Sequence, residues 1–330
     1  MNLAILGAGA WGTALGIAMS SLHRVTLWCR DPQQYERMRA EGVNSRYLPG
    51  IALPTTLRLI GDAEAALSDC QLVIAAVPTA ALRETLGLVA HLPGKPGLVW
   101  LCKGFEPGSG KFPHQVAADE LGDGYSCAAL SGPSFAAEVA QGLPAAVTLA
   151  SADPEFAAVA ARELHTGRFR VYSSNDLAGV ETGGAVKNVI AIAAGVCDGL
   201  KLGNSARAAL ITRGLAEMSR LGVALGGRME TFMGLAGAGD LVLTATSDLS
   251  RNRRVGLGLG AGQRLADILA DLGHVAEGVV TAREVVRLAA ENRVEMPIAT
   301  AVWRLLDGQV SVQVAFEELM HREPKQESVR

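Results

Sequence analysis

Residues 2–19 read NLAILGAGAWGTALGIAM. The apolar run LAILG (3–7) passes directly into Gly7, Gly9 and Gly12 in G-x-G-x-x-G register, and helical spacing follows. A lone match to that register is weak. Here it follows a predicted strand, opens a predicted helix and precedes a second strand, VTLWC (25–29), the context that dinucleotide binding needs. Gly7 permits the tight turn, Gly9 lets the backbone approach a pyrophosphate, and Gly12 lets the helix lie close to the sheet. The N–H groups at the start of that helix favour the phosphate charge.

The alternation continues outward from this unit. LVIAAV (72–77), LVWLC (98–102), CAAL (127–130) and AAVTLA (145–150) suit strands buried on both faces, as in a parallel sheet. Between them GTALGIAMSS (12–21) and TAALRETLGLVAHL (79–92) carry helical spacing. After RFRVYSSNDLAGVE (168–181) the alternation stops. GLAEMSRLGVAL (214–225), RLADILADLG (264–273), TAREVVRLAAENR (281–293) and TAVWRLLDG (300–308) read as amphipathic helices. The predicted fold class is α/β: a Rossmann-type, mostly parallel sheet in a dinucleotide-binding domain at 1–178, then an all-helical substrate domain at 179–330. The polar last ten residues, HREPKQESVR, are expected to fray.

Composition bounds the function classes. A chain of 330 residues has room for two domains, each with a core. Its 49% hydrophobic and 19% charged content fits a compact soluble protein. A formal net charge of −3 gives no reason for non-specific nucleic-acid binding. The longest apolar runs, such as Val189 to Cys197, are about half of what a membrane span needs. With no leader before the first strand, the expected compartment is the cytoplasm. Cys29, Cys70, Cys102, Cys127 and Cys197 lie far apart without a C-x-x-C, which speaks against a metal site and a disulfide framework. Cys102 precedes a lysine but reads as a small buried strand residue.

Six stretches carry candidate chemistry. GGAVKNVIAIAAG (183–195) holds a single charge, Lys187, in an apolar helix, where an ammonium is costly unless paired. Gly183, Gly184, Ile190, Ala191, Ala194 and Gly195 flank it on its own face. That nearly bare stripe could admit another surface or a ligand, or Lys187 could snorkel at a crowded helix contact. LCKGF (101–105) puts Lys103 just past a strand's carboxyl end, where open α/β sheets bind ligands. SGPSFAAE (131–138) places Gly132 and Ser134 at another strand-to-helix junction. GLAGAGD (234–240) lacks a preceding strand, so it reads as a tight loop aiming Asp240, or as a helix with Asp240 as its cap. SRNRR (250–254) offers Ser250 as a helix cap with Arg251 and Asn252 at an anion-binding helix start, or a solvated basic face. At the end of the second strand, WCRDP (28–32) places Arg30 where it favours the 2′-phosphate of NADPH; a one-residue shift would put Asp31 on the ribose of NADH instead.

GAGAWGTAL (7–15), CKG (102–104), SGPSFAAE, GGAVKNVIAIAAG, ALITRGLAEMSRLG (209–222), GLAGAGDLVLT (234–244) and SRNRR together resemble the bacterial NAD(P)-dependent glycerol-3-phosphate dehydrogenases, in family order. The resemblance implies reduction of dihydroxyacetone phosphate to sn-glycerol 3-phosphate for glycerophospholipid synthesis, no metal, and a homodimer. It implies proton transfer by Lys187, with Lys103 touching substrate and cofactor, and Asp240 and Thr244 near the substrate hydroxyls. By the same resemblance Gly132, Ser134, Asn188, Ser250, Arg251 and Asn252 bind substrate. Ala10, Trp11, Arg30, Ala136, Arg251, Val275 and Glu277 contact the nucleotide. Cys102 stands where threonine is common in the family. A lysine has a pKa of about 10.4; partial burial and Lys103 would lower that of Lys187 towards the working range, and Asp240 would oppose them. Two rivals remain at this level. Another β-hydroxyacid dehydrogenase would have less use for SRNRR, and a dinucleotide-binding redox sensor would not need Lys187, Lys103 and Asp240 together.

Overall fold

The computed structural model describes residues 1–273 and 275–321. It falls into two compact units. The first comprises Met1–Glu106 and Lys111–Leu177; the second comprises Pro107–Gly110 and the chain from Ala178 onward. The excursion at 107–110 groups with the second unit because Gly108 N–H donates to Glu284 Oε1 at 3.1 Å and Arg287 Nη2 donates to the Ser109 carbonyl at 2.9 Å.

The first unit is one sheet with helices α1 (Ala10–Met19), α2 (Pro32–Glu41), α3 (Ala63–Leu67), α4 (Leu82–Gly87), α5 (Pro113–Leu121), α6 (Ala136–Ala140) and α7 (Pro154–Leu164). Its strands are β1 (Asn2–Leu6), β2 (Arg24–Trp28), β3 (Leu57–Ile60), β4 (Leu72–Ala75), β5 (Gly97–Trp100), β6 (Cys127–Ser131), β7 (Ala145–Ala150) and β8 (Phe169–Ser174). They lie in the order β3-β2-β1-β4-β5-β6-β7-β8. All neighbours run parallel except β6 and β7. β1 sits between β2 and β4, with Leu3 opposite both Val25 and Leu72. The strand order therefore reverses at β1, the switch point where doubly wound sheets bind ligands beyond their carboxyl ends. Leu3, Ile5, Leu15, Leu27, Ile74 and Val99 are buried in one core.

Two strands carry no strong signal in the sequence. β3 has four residues, of which only Leu57 is buried, and β8 alternates buried and exposed positions along FRVYSS. Both are edge strands, which need no continuous apolar run. The predicted helix at 79–92 is shorter in the structure: a 3₁₀ turn at Thr79–Ala81 leads into α4.

The second unit is helical: α8 (Leu177–Gly199), α9 (Asn204–Ala224), α10 (Met229–Met233), α11 (Asp240–Thr246), α12 (Arg251–Gly260), α13 (Leu265–Leu272), α14 (Glu277–Glu291), α15 (Pro297–Leu306) and α16 (Val312–Met320). GLAGAGD is not the expected tight loop. Leu235–Gly239 forms a π-helical turn that runs on into α11, and such turns recur at functional sites. α8 is long and apolar enough to cross a membrane, with a mean hydropathy of 1.3 over its most apolar window, yet 94% of that window is buried inside the fold. It is the central helix of the unit's core. Glu217 on α9 is 2% exposed and accepts the N–H groups of Ile298 (2.8 Å) and Ala299 (3.2 Å). A buried carboxylate thus closes the open start of α15. Beyond His321, the residues expected to fray lie outside those described.

Candidate active site

The candidate residues form one group in each unit. In the first, the glycine loop has the shape its register requires. Gly7 adopts φ +113°, and a Cβ there would lie 2.6 Å from the Ala76 carbonyl oxygen. A Cβ on Gly12 would lie 2.0 Å from the Gly7 carbonyl oxygen, so α1 can start this close to β1 only on glycine. Gly9 has nothing within 4 Å of its Cβ position and caps α1 without a side-chain hydrogen bond. The open space and the uncapped helix start, with Ala10 and Trp11 in its first turn, fit a dinucleotide pyrophosphate.

At the end of β2, Arg30 is exposed, with Nη1 3.6 Å from Glu84 Oε2. Asp31 is the N-cap of α2, its Oδ1 accepting the N–H groups of Gln33 (2.9 Å) and Gln34 (3.3 Å). One oxygen of the residue that could have met a ribose in a shifted register is therefore committed to the helix. The sequence reading did not reach a clamp beneath this loop: Gln34 Nε2 and Asn44 Nδ2 both donate to the Ala8 carbonyl, at 2.6 and 3.0 Å. Nothing local in a polar helix start or a lone asparagine announces such a contact.

Past the ends of β5 and β6, Lys103 Nζ and Ser134 Oγ both donate to the Gly132 carbonyl, at 3.4 and 3.0 Å. A Cβ on Gly132, at φ +146°, would lie 2.9 Å from Val147 Cα. Lys103, Gly132 and Ser134 are therefore gathered at one place, with Ala136 opening α6 just beyond. Cys102 is buried, and burial pushes the Cys29 thiol up to about 11.

In the second unit, Lys187 is 6% exposed and does not snorkel. Its Nζ donates to Asp240 Oδ1 and, at 3.0 Å, to Thr244 Oγ1; Thr244 in turn reaches Asp240 Oδ1 at 3.3 Å. Asp240 and Thr244 are one turn apart on α11, so the π turn before them aims both at α8. Asp240 is not a helix cap; Gly239 holds that position. The bare stripe around Lys187 is partly a packing seam. A Cβ on Gly183 would lie 2.4 Å from the Ala236 carbonyl oxygen, and one on Gly195 would lie 2.0 Å from that of Arg253.

Next to Lys187, Asn188 Oδ1 accepts from Asn252 Nδ2 at 2.9 Å, and Asn252 Oδ1 accepts the Gly278 N–H at 3.0 Å. This chain ties α8, α12 and the start of α14, where Glu277 lies; exposed Val275 precedes it. Ser250 caps α12, its Oγ accepting the Arg253 N–H at 3.2 Å. The three arginines of SRNRR divide. Arg251 and Arg254 are exposed, whereas Arg253 is buried and bonded to Asp198 (2.7 and 2.9 Å) and Asp248 (2.5 Å). Arg253 thereby anchors the helix that presents Arg251 and Asn252. Among the described residues, no cluster of three or more His, Cys, Asp or Glu side chains is placed to hold a metal ion.

Comparison with known proteins gives one family for both units. A model described as NAD-dependent glycerol-3-phosphate dehydrogenase N-terminus matches residues 2–157, and its C-terminus counterpart matches residues 176–317. Glycerol-3-phosphate dehydrogenase (NAD(P)+) of Dechloromonas aromatica is 57% identical over 327 residues, 99% of each chain. That of Nitrosospira multiformis is 56% identical over 331 residues, again 99% of each. The crystal structure of glycerol-3-phosphate dehydrogenase from Coxiella burnetii superposes with a TM-score of 0.93 at 44% identity, covering 97% of this chain and 99% of that one. With both family models and the full-length relatives in agreement, the chain belongs to the NAD-dependent glycerol-3-phosphate dehydrogenase family and is an oxidoreductase of that kind.

Proposed function

We propose that the chain reduces dihydroxyacetone phosphate to sn-glycerol 3-phosphate, with NADPH preferred over NADH and Lys187 as proton donor. The observation that carries this reading is the buried Lys187 ammonium, which is held by Asp240 and Thr244 and is the single charge in the stretch 183–195 of its helix. Bound NADPH would supply the hydride to the ketone carbon. Lys187 Nζ then stabilises the negative charge growing on the carbonyl oxygen and gives it a proton, leaving a secondary alcohol. Contact with the Asp240 carboxylate favours the ammonium, which is the form that reduction consumes. In the oxidative direction neutral Lys187 is the base. Asp240 and Thr244 hold Nζ in one direction, so the proton is delivered from a fixed point.

Gly7, Gly9, Ala10, Trp11 and Gly12 hold the pyrophosphate, and Arg30 meets the 2′-phosphate. Asp31 spends one carboxylate oxygen on α2 and turns the other towards Arg46, which supports NADPH over a carboxylate contact to the ribose hydroxyls. Ala136, Val275 and Glu277 complete the nucleotide contacts. Lys103, Gly132, Ser134, Ser250, Arg251 and Asn252 take the substrate, with Arg251 and the capped start of α12 on its phosphate. Asn188 and Asn252 fix each other within that set. The family relationship supports a homodimer in the cytoplasm that feeds glycerophospholipid synthesis.

Lys187→Ala should lower kcat by about 10³-fold, within the range of general acid catalysis, while NADPH binding followed by fluorescence stays near the parent's. Turnover at a near-normal rate would overturn the assignment of the proton donor.

A further inference from the structure

The end of β2 carries a second cation that the reading above does not use. Arg46 Nη1 lies 3.8 Å from Asp31 Oδ2, and its guanidinium sits over the Tyr47 ring, 5.1 Å from the centroid. Arg46 is far from Asp31 in sequence, and the fold brings it there through one buried side chain. Asn44 is fully buried. Its Nδ2 donates to the Ala8 carbonyl at 3.0 Å and to Thr13 Oγ1 at 2.8 Å, while its Oδ1 accepts the Tyr47 N–H at 3.3 Å. The Leu48 N–H closes the turn on the Asn44 carbonyl at 2.8 Å. The turn at 44–48 is therefore mounted on the glycine loop, and it cannot shift without stranding buried polar groups.

The charge balance at this point is informative. Oδ1 of Asp31 is spent on two backbone N–H groups, and Oδ2 faces Arg46 across a gap too long for a hydrogen bond. Arg46 has a side chain 46% exposed, so its planar donors remain open to solvent. A phosphate brought to the end of β2 would meet the Asp31 charge unless a cation stood beside it. Arg46 stands there, on a fixed turn, and presents a fork suited to phosphate.

We propose that Arg46 is a specificity-determining residue that takes the 2′-phosphate of NADPH together with Arg30, and that Asn44 is the positioning residue that holds Arg46 in place. The proposal rests on the NADPH preference stated above. It requires no movement of the glycine loop, because the same asparagine fixes the loop and the turn.

Equilibrium binding tests it without turnover. Dissociation constants are measured by titration calorimetry for NADPH, NADH, adenosine 2′,5′-bisphosphate and AMP, on the parent, Arg46→Ala and Arg46→Lys. Arg46→Ala should weaken NADPH and the bisphosphate by about tenfold, the size of one charge-assisted hydrogen bond. It should change NADH and AMP less than about twofold, and Arg46→Lys should recover part of the loss. A parent that prefers NADPH but keeps the same preference in Arg46→Ala would overturn the role of Arg46 and leave the cofactor reading standing. Equal weakening of all four ligands would assign Arg46 to the structure of the turn and overturn the proposal. A parent with no preference for the phosphorylated ligands would overturn both the proposal and the cofactor reading.

Discussion

Lys187 brings an ammonium into an interior where an isolated charge costs several kcal/mol, and Asp240 and Thr244 are what make it tenable there. That the lysine needed a partner follows from its helix alone; that the partner is Asp240 follows from the π turn, which no periodicity in GLAGAGD reveals. The pairing has a measurable consequence for stability. Lys187→Met and Asp240→Asn should each cost about 3–5 kcal/mol, because each removes the opposite charge that the other buried group faces. The double substitution should cost clearly less than the sum of the two. Urea unfolding of the four proteins checks this, and strict additivity would contradict a direct pair. As candidates, Lys187 and the three glycines were legible because a charge in an apolar helix, or glycine at a turn, has a local physical reason. Asn44, and Arg253 with Asp198, were not: each works through partners 31–55 residues away, and nothing beside them in the chain reports that contact.

At the scale of elements, the crossing of α8 and α12 carries Asn188, Arg251 and Asn252, which are proposed to bind substrate. A Cβ on Gly195 would lie 2.0 Å from the Arg253 carbonyl oxygen, and one on Gly256 would lie 1.9 Å from that of Ile192. The two helices thus meet backbone to backbone, with glycine on each side of the seam. Gly256→Ala should destabilise the protein by about 1–3 kcal/mol, as overpacking does. It should also weaken substrate more than cofactor, since it pushes α12, with Arg251 and Asn252, away from Asn188. A thermal melt read beside the KM values for both ligands decides the matter; an unchanged melt would show that the crossing has slack. Patterning made the inner strands legible, because burial on both faces leaves continuous runs such as LVIA in β4. β3 and β8 escaped it as short or alternating edge strands. α2, whose sequence is PQQYERMRAE, buries only Gln34 and Met38 and so has no apolar stripe to read.

For the whole molecule, there are two units: a sheet whose switch point holds the glycine loop proposed to bind nucleotide, and a helical unit built around the lysine helix. The inner strands and the passage to helices could be read from the chain; the order of the strands in the sheet comes from the structure. The excursion of 107–110 could not, since it depends on Glu284 and Arg287 at the far end of the sequence. The proposed reaction is the reduction of a phosphorylated three-carbon ketone. The most direct test is the initial rate of NADPH and NADH oxidation by the purified protein with dihydroxyacetone phosphate, beside dihydroxyacetone. Oxidation should be rapid only with the phosphorylated ketone, and faster with NADPH than with NADH at limiting cofactor. Equal rates with both ketones would contradict the role given to Arg251 and Asn252, and no oxidation with either cofactor would contradict the proposed reaction.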